Sequence, residues 1–521
     1  MSGFKGYKIK KSKSTSRVFA GKSIGRVSRT VGTTGRRHSV GLSGSGKPRR
    51  RFFDGVDQAK LVRVLTVVAF LAVVGIGVWA IVASANSGGS EIAMSLAAAD
   101  TSRPITPEDG EAEGSAKMTI ALGGSVKLQG EVLEAAKASN NNFSNYLYEM
   151  GSVMQADLSV VNLLGSFTTG DTTSAYPSGD YPEELAKALG DININAVVTA
   201  NNQAMLYGLE SLTHTTSVLD EQDIDCLGTS TSGGERWQVL DYNGIRIGVG
   251  AYNCATSSEI KELEDKQKAA GATQEQIDAC VNQLSIDISR TENSKGYSEA
   301  SDAILSDIKA MRENGAEIVI VMLNWGSAGQ TAPNNAMTTL AQRMIDAKVD
   351  ITVGYGPDIL EKVTVKEVET ENGTKKNCYV FYSLGNFFAD CDKGSTAKKY
   401  ESMVVKFDVV KSTEDSPAAI ASGSVYPVYI NRDASFMTEN TQRKYLVIPA
   451  GLYEYKADGG VRPEVFTSDE LWNKYTLTFT HVRTSIQTTW DVDKYLSLGS
   501  VTGSQSAQQQ TQTGSSDSTN M

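Results

Sequence analysis

A stretch of 21 residues without a charged side chain, VLTVVAFLAVVGIGVWAIVAS at 64–84, constrains this chain more than any other feature. An α-helix rises about 1.5 Å per residue, so about 20 apolar residues cross the roughly 30 Å hydrocarbon core of a bilayer. A buried core helix is usually shorter or has a polar face. A cleaved signal peptide has a shorter apolar run and lies nearer to the N-terminus. The stretch therefore predicts one transmembrane helix.

The charge on either side of the predicted helix decides its orientation. Residues 1–63 carry 17 Lys and Arg against two acids, whereas the rest of the chain carries 33 basic and 58 acidic residues. Lys and Arg close to a span stay on the cytoplasmic side. We therefore expect a single-pass protein of the cell membrane, with a cytoplasmic N-terminus and an extracytoplasmic C-terminal domain.

Low-complexity segments flank the predicted helix and end the chain. The basic residues 1–63 are rich in Gly and Ser and lack an apolar period, which predicts a disordered cytoplasmic tail. Attraction to membrane lipid is its favoured role, and docking to a partner is the alternative. Nucleic-acid binding is not expected, because no aromatic or motif context accompanies the charges. The low-complexity composition of residues 85–116 predicts an extracytoplasmic linker, and that of residues 499–521 predicts a disordered tail.

Strand-like and helical patterns alternate through residues 117–379. This alternation predicts an α/β sheet with crossover connections. Gly190, at the end of one helical pattern, is predicted to terminate that helix. The predicted strands lie at 118–124, 157–165, 195–203, 244–252, 317–326 and 350–356, and the predicted helices lie at 131–139, 182–190, 301–313 and 335–347.

After Tyr379 the pattern changes to strands alone. A second sheet or an antiparallel extension of the first sheet accounts for this change. The predicted strands lie at 380–388, 402–410 and 424–430.

The ectodomain is predicted to consist of one main domain and an extension. Residues 117–430 form the domain, with a charged helical insertion near 257–295, and residues 431–498 form a C-terminal extension packed on it. Cysteines suggest two disulfides to test, Cys254–Cys280 and Cys378–Cys391, since an extracytoplasmic compartment permits them. Each pair is equally compatible with two buried thiols.

The loops after the predicted strands share an unusual composition. Ligands of α/β sheets bind beyond the carboxyl ends of the strands. Each of these loops contains Gly, Asn or an aromatic residue, which indicates a site. Their sequences are GGS, NLLGS, ANNQAMLYG, NWGSAG, GYGPD and YSLGNF.

The ordered series GGSVKLQG, ADLSVVNLLG, ANNQAMLYG, MLNWGSAG, VGYGPDIL and YSLGNFF resembles the bacterial CapA/PgsA family of capsule and poly-γ-glutamate biosynthesis proteins. The resemblance covers about residues 117–430. It implies a membrane anchor and a calcineurin-like metallophosphoesterase fold, an α/β (α+β) two-sheet sandwich flanked by helices. It also implies that the site lies at the strand ends.

This chain departs from the family at the positions that hold metal. Only the Tyr-Ser-Leu-Gly-Asn-Phe block at 382–387 is intact. The substitutions are Gly124 for Asp, Leu164 for Glu, Gln203 for His, Leu206 for Asp, Asn324 for His, Ala328 for Glu, and Gly356 and Asp358 for the two His of a G-x-H-P-H block.

These substitutions argue against hydrolysis. A hydrolytic metal centre needs carboxylates and neutral imidazoles around the ion, and amides do not replace several anionic ligands. His38 lies on the other side of the predicted membrane, and His214 and His481 lie outside the six blocks. Ser383 has no base near it in sequence, so we expect its hydroxyl to bond to the backbone. No catalytic residue, metal or cofactor is therefore expected.

What remains is a predicted vestigial cleft lined by amides, aromatic residues and one carboxylate. Such a lining suits a neutral polar ligand, a glycan or peptide polymer. A packed cleft without a ligand is an equal alternative. Of Asn201 and Asn202, one is expected to hold loops together and the other to face the cleft. The candidate ligand-binding residues are Asn162, Asn201, Asn202, Gln203, Asn324, Trp325, Tyr355, Asp358, Tyr382, Ser383 and Asn386.

Three functions are compatible with these features. The favoured one is a catalytically degenerate CapA-like protein that assists biosynthesis or export of a cell-surface polymer as a binding or scaffolding subunit. By resemblance, the polymer is of the poly-γ-glutamate type and the partner is a membrane-bound polymer synthase complex. The first alternative is an active metal-dependent phosphoesterase or other hydrolase of the cell surface. The second is a pure protein-interaction subunit with an unused cleft.

Overall fold

A computed structural model describes residues 115–167, 179–204, 207–229, 236–254, 295–390, 397–432 and 468–487. Shorter described stretches lie between 261 and 284, between 436 and 466, and at 497–498. The predicted tails 1–63 and 499–521, the predicted span 64–84 and most of the linker 85–116 lie outside the described residues. Among those described, no helix combines the length and the apolar character that crossing a membrane requires.

The first half of the described chain alternates strands with helices. Its elements are β1 (Ala116–Lys127), α1 (Gly130–Ala138), α2 (Ser144–Leu147), α3 (Gly151–Met154), β2 (Leu158–Leu163), β3 (Ser166–Phe167), β4 (Asp180–Tyr181), α4 (Glu184–Asp191), β5 (Ala196–Val198), α5 (Gly208–Asp220), β6 (Asp225–Leu227), β7 (Trp237–Tyr242) and β8 (Ile245–Cys254).

The second half contains two further helices near its start and then consists mostly of strands. Its elements are β9 (Gln283–Leu284), α6 (Lys295–Glu313), β10 (Ile318–Asn324), α7 (Asn335–Asp346), β11 (Ile351–Tyr355), β12 (Val363–Glu369), β13 (Lys375–Phe381), β14 (Asn386–Ala389), β15 (Glu401–Lys411), β16 (Ala419–Ile430), β17 (Phe436–Thr438), β18 (Thr441–Arg443), β19 (Val447–Pro449), α8 (Asp469–Gln487) and β20 (Ser497–Leu498).

Two mixed sheets form the body of the fold. In the first sheet the order is β19-β16-β15-β1-β2-β5-β6, and β14 also pairs with β1. In the second the order is β12-β13-β11-β10-β8-β7. Strands β1, β2, β5 and β6 run parallel, whereas β15 and β16 extend the first sheet in antiparallel fashion. For the late strands predicted at 402–410 and 424–430, the antiparallel extension of the first sheet is therefore the arrangement observed.

The core between the two sheets is built from alternate residues of the strands. Ile120 and Leu122 of β1 share one buried cluster with Ile320 and Met322 of β10. Successive side chains of a strand point to opposite faces, so the intervening residues of β10, such as Val321, pack outward. There they join a second cluster that includes helices α6 and α7. The predicted α/β two-sheet sandwich flanked by helices is confirmed.

Helix boundaries follow local capping chemistry. Helix α7 begins after Asn334, whose side-chain oxygen accepts a hydrogen bond from Met337 N at 2.9 Å. The prediction that Gly190 terminates helix α4 is wrong, because the helix continues to Asp191. The left-handed residue that follows the helix is Asn193, with φ 67°. Asn adopts this conformation more readily than other non-glycine residues, so Asn193 occupies the left-handed position after the helix, where glycine is common.

The single strand predicted at 380–388 is also wrong. Strand β13 ends at Phe381 in the second sheet, and β14 begins at Asn386 beside β1 in the first sheet. Residues 382–385 therefore cross from one sheet to the other. Helix α6 begins at Lys295, earlier than the predicted residue 301.

The cysteines that the structure describes are thiols. Cys226, Cys254 and Cys378 are free, and the last two are buried. Burial raises the pKa of the Cys254 thiol to about 12. The proposed disulfide partners Cys280 and Cys391 lie outside the described residues.

Candidate functional site

Several strands change from apolar to polar at the last position that faces the other sheet. In β10, Ile320 and Met322 lie in the core between the sheets, and Asn324 follows at the same spacing of two residues. The same alternation places Asn162 in β2, Asn253 in β8 and Tyr355 in β11 at the carboxyl ends of their strands. We call this rim of the sandwich the strand-end edge.

The amides of the first sheet bind one another at this edge. Asn162 Nδ2 donates to Ser125 Oγ at 2.9 Å. Asn201 Nδ2 donates to Leu163 O at 2.8 Å and to Asn162 Oδ1 at 3.3 Å, and its Oδ1 accepts from Gln203 N at 3.0 Å. Because Ser125, Asn162 and Asn201 are buried, these bonds satisfy groups that are screened from water.

Replacing Asn201 by alanine is expected to lower the free energy of unfolding by about 2 kcal/mol, because buried partners lose their hydrogen bonds. The matched control is Asn202→Ala, since Asn202 is the exposed neighbour of Asn201. Urea unfolding of the two purified variants measures the difference. Equal stability of the two variants contradicts a structural role for Asn201.

The aromatic residues of the second sheet pack against each other. Trp325 Nε1 donates to Tyr382 O at 2.9 Å, and its indole stacks on the Tyr382 ring with centroids 5.7 Å apart and planes at 16°. The Lys362 ammonium lies 5.1 Å from the centroid of the same ring. Burial, followed by the charge of Glu361, raises the pKa of Tyr382 to about 12. Both rings are buried, so their faces serve packing rather than stacking on a ligand.

The crossing segment 382–385 ties the two sheets together at the strand-end edge. Gly385 O accepts a hydrogen bond from Ser125 N at 3.0 Å, and Ser383 O accepts one from Glu361 N at 3.2 Å. The Ser383 hydroxyl accepts from Gly385 N at 3.2 Å, so its role is in the turn. A Cβ on Gly124 would lie 2.1 Å from Gly385 O, and one on Gly354 would lie 2.1 Å from Tyr382 O. The crossing segment therefore leaves no room for a side chain at Gly124 in the first sheet or at Gly354 in the second.

One ion pair joins the two sheets at the same edge. Lys127, the last residue of β1, places Nζ 2.7 Å from Asp358 Oδ2 in the loop after β11. The Lys127 side chain is 29 % exposed and the Asp358 side chain only 6 %. Asp358 has φ 62°, a left-handed conformation that is uncommon for residues other than glycine. The pair connects residues that are 231 positions apart in the chain.

A second buried carboxyl lies under the loop that follows β10. Glu361 is 2 % exposed, and its Oε1 accepts a hydrogen bond from Gln330 Nε2 at 3.2 Å. Its Oε2 is buried without a hydrogen-bond partner among the described residues. Burial raises the pKa of Glu361 to about 7, although Gln330 and the Lys362 charge oppose the shift.

The structure brings the predicted site residues to one edge but buries most of them. Asn202 is exposed and Gln203 is half-buried, whereas the other candidates are buried. The buried Oε1 of Gln203, hydroxyl of Tyr355 and Oδ1 of Asn386 have no hydrogen-bond partner among the described residues.

Asn201 holds loops together and Asn202 faces outward. Leu164 is buried, and Leu206 lies outside the described residues.

The residues at the strand-end edge do not fit a hydrolytic metal centre. Gly124 and Gly356 stand where the resemblance expects ligands, and a Cβ on Gly356, with φ 120°, would lie 2.2 Å from Trp325 O. Asn324 is engaged by Asn253, whose Oδ1 accepts from it at 2.9 Å. Within the described residues, no three His, Cys, Asp or Glu side chains come close enough to share an ion.

The described histidines lie on helices α5 and α8, each beside a carboxylate, rather than at this edge. His214 Nε2 lies 2.9 Å from Glu183 Oε1, and His481 Nδ1 lies 2.8 Å from Glu401 Oε1. Neither ring is part of the contacts that connect the six blocks. The sequence-based interpretation of both as structural histidines agrees with these positions.

Sequence reasoning missed Ser125, Asn253, Lys127 and Glu361. A signal for Asn253 was present, since it follows Ala251 at the spacing of two in an apolar strand. Ser125 stands in the first loop, GGS. Lys127 and Glu361 had no local signal, because the side chains that contact them come from distant loops.

Comparisons with known proteins identify related sequences. The model of the family "Bacterial capsule synthesis protein PGA_cap" matches residues 119–391, just over half of the chain. "PGA biosynthesis protein CapA" of Bacillus subtilis is 28 % identical over 233 residues, which are 44 % of this chain and 51 % of that protein. "Capsule biosynthesis protein CapA" of Bacillus anthracis is 26 % identical over 254 residues, or 47 % and 53 %. This chain thus spans about half the length of the curated relatives it matches.

Solved structures show weaker similarity. A hypothetical protein from Thermus thermophilus gives a TM-score of 0.32 at 12 % identity, with 60 % of this chain and 98 % of that one covered. A novel phosphatase from Mycoplasma pneumoniae gives 0.33 at 12 % identity, with 60 % and 93 % covered. The family assignment therefore rests on the sequence matches. This chain belongs to the bacterial capsule synthesis protein PGA_cap family.

Proposed function

We propose that this protein is a membrane-anchored, extracytoplasmic CapA-like subunit that assists the assembly or export of a cell-surface polymer without hydrolysing it. The observation that carries the proposal is the strand-end edge itself. Glycines and mutually bonded amides occupy the positions where hydrolysis would need carboxylates and imidazoles. The uncharged run at 64–84 and the basic residues before it support the anchor and its orientation.

Hydrolysis of a phosphoester or an amide needs a nucleophile and a group that stabilises developing negative charge. The Ser383 hydroxyl is used in a turn, and the Lys127 ammonium is paired with Asp358. Glu361 is buried beside neutral Gln330. No described contact places a base beside a nucleophile at this edge, so a role in binding or scaffolding suits it better than catalysis.

Because most of the strand-end edge is buried, we expect the outer surface of the domain to carry the binding or scaffolding role. The faces of Trp325 and Tyr382 are packed, and the described edge exposes Asn202 and residues 327–329 instead. The sequence after residue 63 carries 33 basic and 58 acidic residues, which opposes capture of a polyanion over the whole surface. We therefore favour scaffolding of a membrane-bound polymer synthase over tight capture of the polymer, with residues 1–63 held near anionic membrane lipid.

The test measures surface polymer in cells that lack the protein and in cells complemented with the full chain. We expect polymer to fall on deletion and to recover on complementation. We also expect the purified full chain to contain no stoichiometric Mn, Fe or Zn by elemental mass spectrometry. Unchanged polymer on deletion contradicts the proposal, and a stoichiometric metal favours the hydrolase instead.

A truncation separates scaffolding from a role confined to the basic tail. Deletion of residues 1–53 keeps Lys60 and Arg63, which preserves the charge next to the predicted span. If the ectodomain is the scaffold, we expect this variant to restore surface polymer as the full chain does. Complete loss of polymer with normal membrane insertion assigns the function to the tail.

A further inference from the structure

The strand-end edge contains a cation of its own. The Lys127 ammonium lies at the carboxyl end of β1, and its Nζ is 2.7 Å from Oδ2 of Asp358, which follows β11 of the other sheet. This contact therefore spans the gap between the two sheets at the edge where ligands of α/β folds bind. The ammonium remains partly exposed, whereas the carboxylate is buried.

Asp358 requires a positive charge beside it. It is 5 % exposed, and a buried carboxylate without a partner is strongly unfavourable. Its backbone is in the left-handed region with φ 62°, which the surrounding structure must hold in place. Among the described residues, Lys127 supplies the one ion pair recorded for this carboxylate.

The buried Asp358 carboxylate has its counter-charge without an added ion. Asn162, Asn201, Asn253 and Asn324 are neutral and bond among themselves or to Ser125. Asp390, which follows β14, lies 3.4 Å from Arg432 Nη1, so that carboxylate has its own cation. The other buried carboxyl, Glu361, bonds to Gln330, and Asp358 faces one ammonium, Lys127.

We propose that the Lys127 ammonium is a built-in cation that takes the place of a bound metal ion at this edge. It neutralises Asp358 and holds the ends of β1 and β11 together. Because the ammonium already contacts this buried carboxylate, a divalent cation meets both steric exclusion and like-charge repulsion. This inference rests on the proposed absence of a metal centre and is independent of the role in polymer assembly.

The test compares thermal unfolding of the purified full chain with that of Lys127→Ala, Lys127→Arg and the double variant Lys127→Ala/Asp358→Asn. We expect Lys127→Ala to lower Tm by about 3 °C and Lys127→Arg to stay close to the original protein. The double variant should recover part of the loss, because it no longer buries an unpaired charge. The matched control is Lys187→Ala, which removes an exposed partner of Asp191.

Cation additions give the deciding readout. Ethylammonium chloride or MgCl₂ should raise the Tm of Lys127→Ala above its value in NaCl of equal ionic strength, and should leave the original protein unchanged. A rise in the original protein with Mg²⁺ or Mn²⁺ overturns the proposal, because its edge would then accept a metal ion. So does a double variant that recovers none of the stability lost in Lys127→Ala. Neither outcome depends on surface polymer, so failure here is distinct from failure of the proposed function.

Discussion

Replacing Gly124 by alanine should destabilise this protein by about 3 kcal/mol or more. A Cβ at this position would lie 2.1 Å from Gly385 O and 2.9 Å from the Gly385 carbonyl carbon. Both atoms belong to the backbone, so no side-chain rotation relieves the clash. The backbone of the crossing segment would have to move away from β1.

That movement is costly because Gly385 is held from several sides. Its carbonyl accepts from Ser125 N, its φ is 75°, and it forms a bridge with Ser402 of β15. Gly124→Asp, which introduces the residue type that the family resemblance implies here, should be at least as destabilising as alanine. We therefore expect that a carboxylate introduced at position 124 alone destabilises the fold.

Gly151→Ala is the matched control for Gly124→Ala. A Cβ on Gly151 meets nothing within 4 Å, and this residue starts the short helix α3 with φ −55°. Alanine at a compatible position restricts the unfolded chain and is expected to be neutral or slightly stabilising. Urea unfolding of both variants measures the difference. A Gly124→Ala protein as stable as the control would show that the crossing segment does not pack against β1.

The individual strands and helices were accessible from sequence because their signals are local, whereas the two-sheet sandwich was implied by the resemblance to a known family. The continuous apolar run of β10 and the capping Asn334 of α7 each lie within a few residues of the element they define. The six loop sequences were likewise readable as strand ends, and contacts such as Ser125 to Gly385 and Lys127 to Asp358 show that they meet.

The passage of residues 382–385 between the sheets, and the burial of the strand-end edge, could not be predicted from local sequence signals. An apolar run such as VFYSLGNFF has the same composition whether it forms one strand or passes between two sheets. The change of sheet depends on Gly385 meeting Gly124, which are 261 positions apart. The burial of Trp325 against Tyr382 is a long-range contact of the same kind. Amides and aromatic residues at strand ends therefore indicated a cleft, whereas the fold uses most of them as packing.

Glu361→Gln is expected to raise the stability of the protein at pH 8 by up to about 3 kcal/mol. The folded-state pKa of Glu361 is raised to about 7 from an ordinary value of 4.5, mainly by burial. Between these values the unfolded chain releases the proton while the folded chain retains it, so stability falls as pH rises through this window. Above about pH 7 the loss is complete, because the carboxylate is then charged and buried in the folded protein.

Glutamine keeps the acceptor for Gln330 Nε2 and has no charge to lose, so it removes this pH dependence. Urea unfolding at pH 5 and pH 8 should show a gain from Glu361→Gln that is small at the lower pH and large at the higher. Glu369→Gln, at an exposed position on β12, is the matched control and should give no such difference. An equal gain at both pH values would mean that Glu361 stays ionised in the folded protein across this range. Gln330 and Lys362 would then outweigh burial.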